Sequence, residues 1–335
     1  MLRPLAACAL LLWPGTAAAY DIGQIVDDHI LPGYTALVDE AHDLAATAEQ
    51  DCAADSPALR AAWNDAFDAW VRISHLRFGP AEEGDRAYAL AFWPDARGFT
   101  PRQLGGLISA EDPVIETQAG FDELSVAARG FYAMEFLLYD EAFMTAEPEA
   151  YRCALVQGAA RDIEANARAI LDGWETGFAD LLRNAGDNDT YRSRDEAAQV
   201  LLGAVVSELQ FTSDTRLGRP LGTFERPRPR RAEARRSGRA LRNVRLSLEG
   251  TRELALLLAA DSPYVTGILE DAYARALEQV AALSHDPVFA GVDEPQGRLE
   301  VEILQQNIDR IRTLLGAELG PELGVAAGFN AMDGD

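Results

Sequence analysis

The sequence predicts an all-α protein built as two tandem helical bundles, each like a four-helix bundle, joined by a short polar break. Three observations carry this. Apolar residues recur at i, i+3, i+4 and i+7 through most of the chain, the spacing of a buried helical stripe. The period-2 alternation of strands is nearly absent. Near the middle, the polar run Gly186-Asp187-Asn188-Asp189 and then the capping box Ser193-Arg194-Asp195-Glu196 interrupt the pattern. At 335 residues the chain exceeds one core of about 100–200 residues. Residues 20–186 and 187–335 are therefore expected to form one bundle each.

The first 19 residues read as a leader: a positive start at Arg3, an apolar run over residues 5–13, and the small residues Thr16-Ala17-Ala18-Ala19. Cleavage is expected after Ala19, giving an exported, periplasmic protein. The apolar run is far shorter than the roughly 20 residues that span a bilayer, and no later run reaches that length. Leu5-Ala6-Ala7-Cys8 resembles a lipoprotein cleavage box but leaves almost no apolar stretch before Cys8, so no lipid anchor is expected.

A first helix carries Tyr34, Leu37, Val38, Ala41, Leu44, Ala45 and Ala48 on one face, with Pro32 expected to kink or restart it. Ser56-Pro57 supplies an N-cap and a first-turn proline for a second helix, whose apolar face is Trp63, Phe67, Trp70 and Val71 and which stops before Gly79-Pro80. Residues 79–118 lack periodicity and are long for a connection inside a compact domain, which marks them as a functional loop broken by short helical turns. A third helix is expected over residues 121–139 and a fourth, opened by Pro148, over residues 148–183. In an up-down bundle the first helix ends where the fourth begins, so Cys52 and Cys153 come to one rim and form a disulfide in an oxidising compartment. Closing so long a loop is worth about 4 kcal/mol in the chain-entropy model. The second half repeats the logic, with helices over residues 194–212 and 233–259 around an arginine-rich irregular stretch. Ser262-Pro263 caps another, and the last carries Leu299, Ile303, Leu304, Ile308, Ile311 and Leu315 up to Gly320-Pro321.

The charge is lopsided. There are 54 acidic and 30 basic residues, a net charge of −24, and every basic residue is arginine. A field of that sign repels nucleic acid and anionic membranes and suits a protein that handles cations. Yet residues 226–245 hold nine arginines with Glu233 as the only acid among them.

Several stretches resemble one family. Gly130-Phe131-Tyr132-Ala133-Met134-Glu135 is similar to the G-x-H-x-x-E signature of imelysin-like proteins, with tyrosine in place of histidine. Arg216-Leu217-Gly218-Arg219-Pro220-Leu221-Gly222 resembles the family's R-[IL]-G-x-P-L-G segment. Arg236-Ser237-Gly238-Arg239-Ala240-Leu241-Arg242-Asn243 resembles its R-S-G-x-S-L-x-N stretch, and the tail from Leu323 to Asp335 resembles its usual ending. The resemblance implies a periplasmic or surface protein of two helical bundles associated with iron uptake, in a family whose members are also named as peptidases. Peptidase chemistry is not legible here. His29, His42, His75 and His285 include no H-E-x-x-H pair, no G-x-S-x-G elbow occurs, and both mature cysteines are expected in a disulfide.

Tyr132 and Glu135, one helical turn apart, are the leading candidates for a metal site. A phenolate is a hard ligand that favours Fe(III), and it must lose its proton to bind. His75 is the candidate third ligand. A simple antiparallel bundle, however, puts Glu135 about 6 Å and His75 about 26 Å from the disulfide rim, which makes His42 and Asp43 the alternatives. Trp93, Asp95 and Arg97 on the long loop are placed to cover the site. Glu208, Arg216, Ser237, Arg239 and Arg242 are candidates to line an interdomain cleft, the arginines holding a carboxylate-rich chelate through bidentate contacts. The resulting expectation is a non-enzymatic periplasmic component of iron acquisition that binds a metal ion or metal chelate and passes it to an inner- or outer-membrane uptake protein. The competing expectation is a metal-free module whose arginine-rich face docks an anionic ligand or a membrane partner.

Overall fold

The structure, a computed structural model, describes residues 20–325. The expected leader and the tail motif beyond Val325 lie outside the described residues. Among the described residues regular structure is helical, apart from one isolated bridge between Thr223 and Arg226, and no helix is long and apolar enough to cross a membrane.

The first bundle comprises α1 (Leu31–Gln50), α2 (Pro57–Ile73), α4 (Gly130–Tyr139) and α5 (Glu149–Gly173), with α3 (Phe99–Ala110) inside the long connection. A π turn, Val26–Ile30, precedes α1. The α-helix starts afresh at Leu31 with Pro32 in its first turn, where a missing N–H breaks no bond within that helix. Ser56 caps α2 through Leu59 N–H as its sequence demands. The expected third helix is split: a short helix Gln118–Asp122 and a 3-10 turn come first, and α4 starts only at Gly130. Gly130 has φ +70°, and a Cβ there would lie 2.2 Å from the carbonyl oxygens of Ala89 and Leu90. Glycine is thus what lets α4 begin against the loop that follows α2. Cys52 and Cys153 form the expected disulfide, with Cα atoms 5.2 Å apart.

The second bundle comprises α6 (Arg194–Gln210), α7 (Ala240–Leu258), α8 (Pro263–Ala282) and α9 (Pro295–Leu314). Here α7 begins later than residue 233. Ala234 (φ 41°) and Gly238 (φ 76°) break the helical path, because Ser237 spends its N–H and hydroxyl on a side chain of the first bundle. On α9, Leu304, Ile308, Ile311 and then Leu315 are buried, whereas Leu299 and Ile303 are exposed. The apolar stripe facing α8 and α6 is narrower than the composition suggested.

The bundles meet where α2 packs on α7. A Cβ on Gly250 would lie 1.9 Å from the carbonyl oxygen of Arg72, so the two helices approach as closely as their backbones permit. Buried apolar residues of both halves form one contiguous cluster, and the site lies on this shared seam.

Candidate functional site

Helix α4 is apolar on nearly every face, with Phe131, Ala133, Met134, Leu137 and Leu138 buried. Such a helix sits in the interior, and it carries Tyr132 and Glu135 inward with it. The Tyr132 ring is gripped edge-on by Phe67 at 5.4 Å and faces Trp93 at 6.3 Å. Its hydroxyl donates to Glu233 Oε1 at 2.5 Å. Glu233 Oε2 accepts from Arg216 Nε at 2.8 Å, and Arg216 also pairs with Glu208 and donates to Thr212 Oγ1. Ser247 Oγ donates to Glu208 at 2.9 Å. Arg216 stands in a π turn, Phe211–Leu217, that follows α6 and turns its guanidinium into this chain of contacts.

Burial, and then the adjacent Glu233 carboxylate, hold the Tyr132 phenol well above its ordinary value. At neutral pH it is therefore a hydroxyl donor and not a phenolate. Arg216 is held further up by Glu208 and Glu233 despite a burial that acts the other way. Glu135 Oε1 accepts both the N–H (3.0 Å) and the hydroxyl (2.9 Å) of Ser237. Burial raises its carboxyl and the Ser237 bonds oppose that rise.

Of these side chains, Tyr132 and Glu135 form the floor of a cleft of about 320 Å³. Trp93 and Phe136 wall it, and Arg219, Arg230, Arg231, Arg235 and Arg236 rim it. Arg236 is spoken for: it pairs with Asp140 at 2.6 Å and lies 3.6 Å over the Phe136 ring. Among the described residues, Arg219, Arg230, Arg231 and Arg235 have no carboxylate partner, unlike Arg216, Arg239 and Arg242 of the same region. Arg219 Nε is buried without any hydrogen-bond partner, and burial together with Arg231 lowers its pKa. Behind Tyr132 and Trp93 lies a second cavity of about 20 Å³, reached by Glu208, Arg216 and Glu233.

The structure brings some candidates together and separates others. Trp93 and Asp95 line the cleft. Asp95 accepts the Phe99 and Thr100 N–H groups at the start of α3, and those bonds outweigh its burial to lower its pKa. Arg97 is exposed and outside the lining. Arg239 and Arg242 hold Asp68 of α2 across the seam, so they join the bundles and do not face the cleft. His75 is no partner of Glu135: its Nε2 lies 2.9 Å from His29 Nε2, and His29 Nδ1 lies 3.5 Å from Glu253. The height difference expected from helix rise is the reason. His42 is exposed and engaged with Glu164, and Asp43 is exposed on the same helix. Sequence reasoning missed the roles of Glu233 and Arg219. For Glu233 the signal was present, since it is the only acid in the arginine run.

As a site for a bare ferric ion the set fits poorly. The phenol keeps its proton, Glu233 is committed to Arg216, and the rim is cationic. Among the described residues no three His, Cys, Asp or Glu side chains gather as metal ligands.

The family model described as Imelysin matches residues 30–315. The chain belongs to the imelysin family. No curated protein matches this chain. Among solved structures it is similar to an imelysin-like protein from Psychrobacter arcticum 273-4, with a TM-score of 0.78 and 20% identity over 96% of this chain and 100% of that one. It is also similar to a putative iron-regulated protein A precursor from Parabacteroides distasonis ATCC 8503, with a TM-score of 0.75 and 13% identity over 92% of this chain and 96% of that one. At such identities these likenesses speak for the fold.

Proposed function

We propose that this imelysin is an exported, non-catalytic binding protein of iron acquisition that takes its iron as an anionic chelate in the cleft between the bundles. The observation that carries this is the rim: four arginines without acidic partners, in a protein of net charge −24, converging on one cavity. Arg219 and Arg235 are half-buried and Arg230 and Arg231 exposed, so they stand ready for an anion, and a chelate supplies carboxylates that guanidinium groups grip in pairs while its own charge shields the metal. The name of the Parabacteroides neighbour, an iron-regulated protein A precursor, and the leader-like residues 1–19 support the cellular setting. An inner- or outer-membrane uptake protein is the natural recipient of the cargo.

Equilibrium dialysis of residues 20–335 against radiolabelled ferric citrate, and separately against Fe(II) under anaerobic conditions, tests the reading. Iron should be retained from the chelate and lost in an Arg219→Glu/Arg231→Glu variant. Retention of Fe(II) alone, or equal retention by the variant, would overturn it.

A further inference from the structure

The cleft is not a simple basic pocket, because its floor carries a buried carboxyl group that, among the described residues, stands outside any ion pair. Burial raises its pKa, and Arg236 opposes that rise only from a distance and through its N–H. Glu135 is 2% exposed and in no ion pair, and both Ser237 bonds fall on Oε1. Its other oxygen, Oε2, has no side-chain partner among the described residues, in a cavity whose rim is cationic and whose other carboxylate, Asp95, is taken up by the Phe99 and Thr100 N–H groups. A ligand that were anionic on every face would meet Glu135 with like charge. One that offers carboxylates to the rim and a hydroxyl to the floor satisfies both. Phosphate brings charge and a hydroxyl but no carbon skeleton for the apolar walls of Trp93 and Phe136. The size agrees: about 320 Å³ is at the small end of ligand sites, which run from about 300 to 1,000 Å³, so a large macrocycle is excluded. Trp93 and Phe136 supply apolar walls for a short carbon backbone.

We infer that the cleft recognises a small hydroxy-polycarboxylate, with its carboxylates on Arg219, Arg231 and Arg235 and its hydroxyl donating to Glu135. The inference rests on the proposed reading of the cleft as the ligand site, and it adds that the organic acid is read directly, with or without its metal.

Calorimetry with metal-free probes tests it: citrate, tricarballylate (the same three carboxylates without the hydroxyl) and inorganic pyrophosphate. Citrate should bind, and tricarballylate should bind at least about tenfold more weakly, the worth of a hydrogen bond to a charged group. In Glu135→Gln, which keeps the shape and the carbonyl acceptor for Ser237, the two acids should bind alike. Arg219→Ala should weaken both equally, and Arg192→Glu, altering an exposed charge outside the cleft lining, should change neither. Equal binding of the two acids by the unaltered protein, or pyrophosphate binding as tightly as citrate, would overturn the inference and leave the cleft reading standing. Retention of ferric citrate without any binding of free citrate would do the same. No binding of any probe, ferric citrate included, would overturn both.

Discussion

Two polar clusters lie where the bundles of this imelysin meet, and they differ in what they leave unsatisfied. At His29, His75 and Glu253 the groups face one another, with Arg72 pairing Glu253 from α2, and among the described residues only His75 Nδ1 of the two rings is buried without a hydrogen-bond partner. At Tyr132, Glu135, Arg216, Glu233 and Ser237 the groups are just as closely bonded, yet over Tyr132 and Glu135 opens a cleft rimmed by guanidinium groups that, among the described residues, have no carboxylate partner. A buried network whose groups turn on one another joins two bodies. One that does so below and is open above joins them and presents a site. The comparison also divides the arginines of one segment: Arg236, Arg239 and Arg242 build the seam, whereas Arg230, Arg231 and Arg235 serve the cleft.

The sharpest way to break this division is at Arg216. Replacing it by alanine leaves Glu208 and Glu233 buried without their cation, and urea unfolding should show a loss of about 3–5 kcal/mol. Tyr132→Phe removes one donor from Glu233 and should cost about 1–3 kcal/mol by the same assay. If Tyr132 instead served as a phenolate, the substitution would leave stability nearly unchanged and abolish a ferric charge-transfer absorbance. The sealed cluster predicts a pH dependence. Burial, and then His29, hold His75 well below its ordinary 6.5, so the unfolded chain takes up a proton that the folded one refuses. Stability should fall as pH drops through about 6.5, with no contribution from this group above that. His75→Asn should flatten that part of the profile, and an unchanged slope would remove His75 as its source. The smallest effect belongs to the open cluster: Arg231→Ala should alter unfolding by within about 0.5 kcal/mol while weakening ligand retention.

Much of the fold was legible because it rests on local signals. Ser56-Pro57 and Ser262-Pro263 start helices as their capping chemistry requires. The disulfide followed from topology and two cysteines. Where the reading erred, a tertiary demand had overridden periodicity. Gly130 splits a helix to pass two carbonyl groups of the preceding loop, and Ser237 delays α7 to reach Glu135. Within the site, Tyr132 and Glu135 were found from one motif and share a cleft. His75 was placed by residue type alone, which carries no information on the direction a side chain faces across a bundle. Arginine count located the basic segment, but which of its members are paired depends on Asp68 and Asp140, acids distant in sequence that no local pattern connects to it.

The most direct test is anomalous diffraction at the iron edge from crystals soaked in ferric citrate. The account predicts one peak in the cleft above Glu135, with ligand density reaching Arg219, Arg231 and Arg235. A peak at His29 and His75, or iron bonded to the Tyr132 oxygen with the arginines left unoccupied, would contradict it.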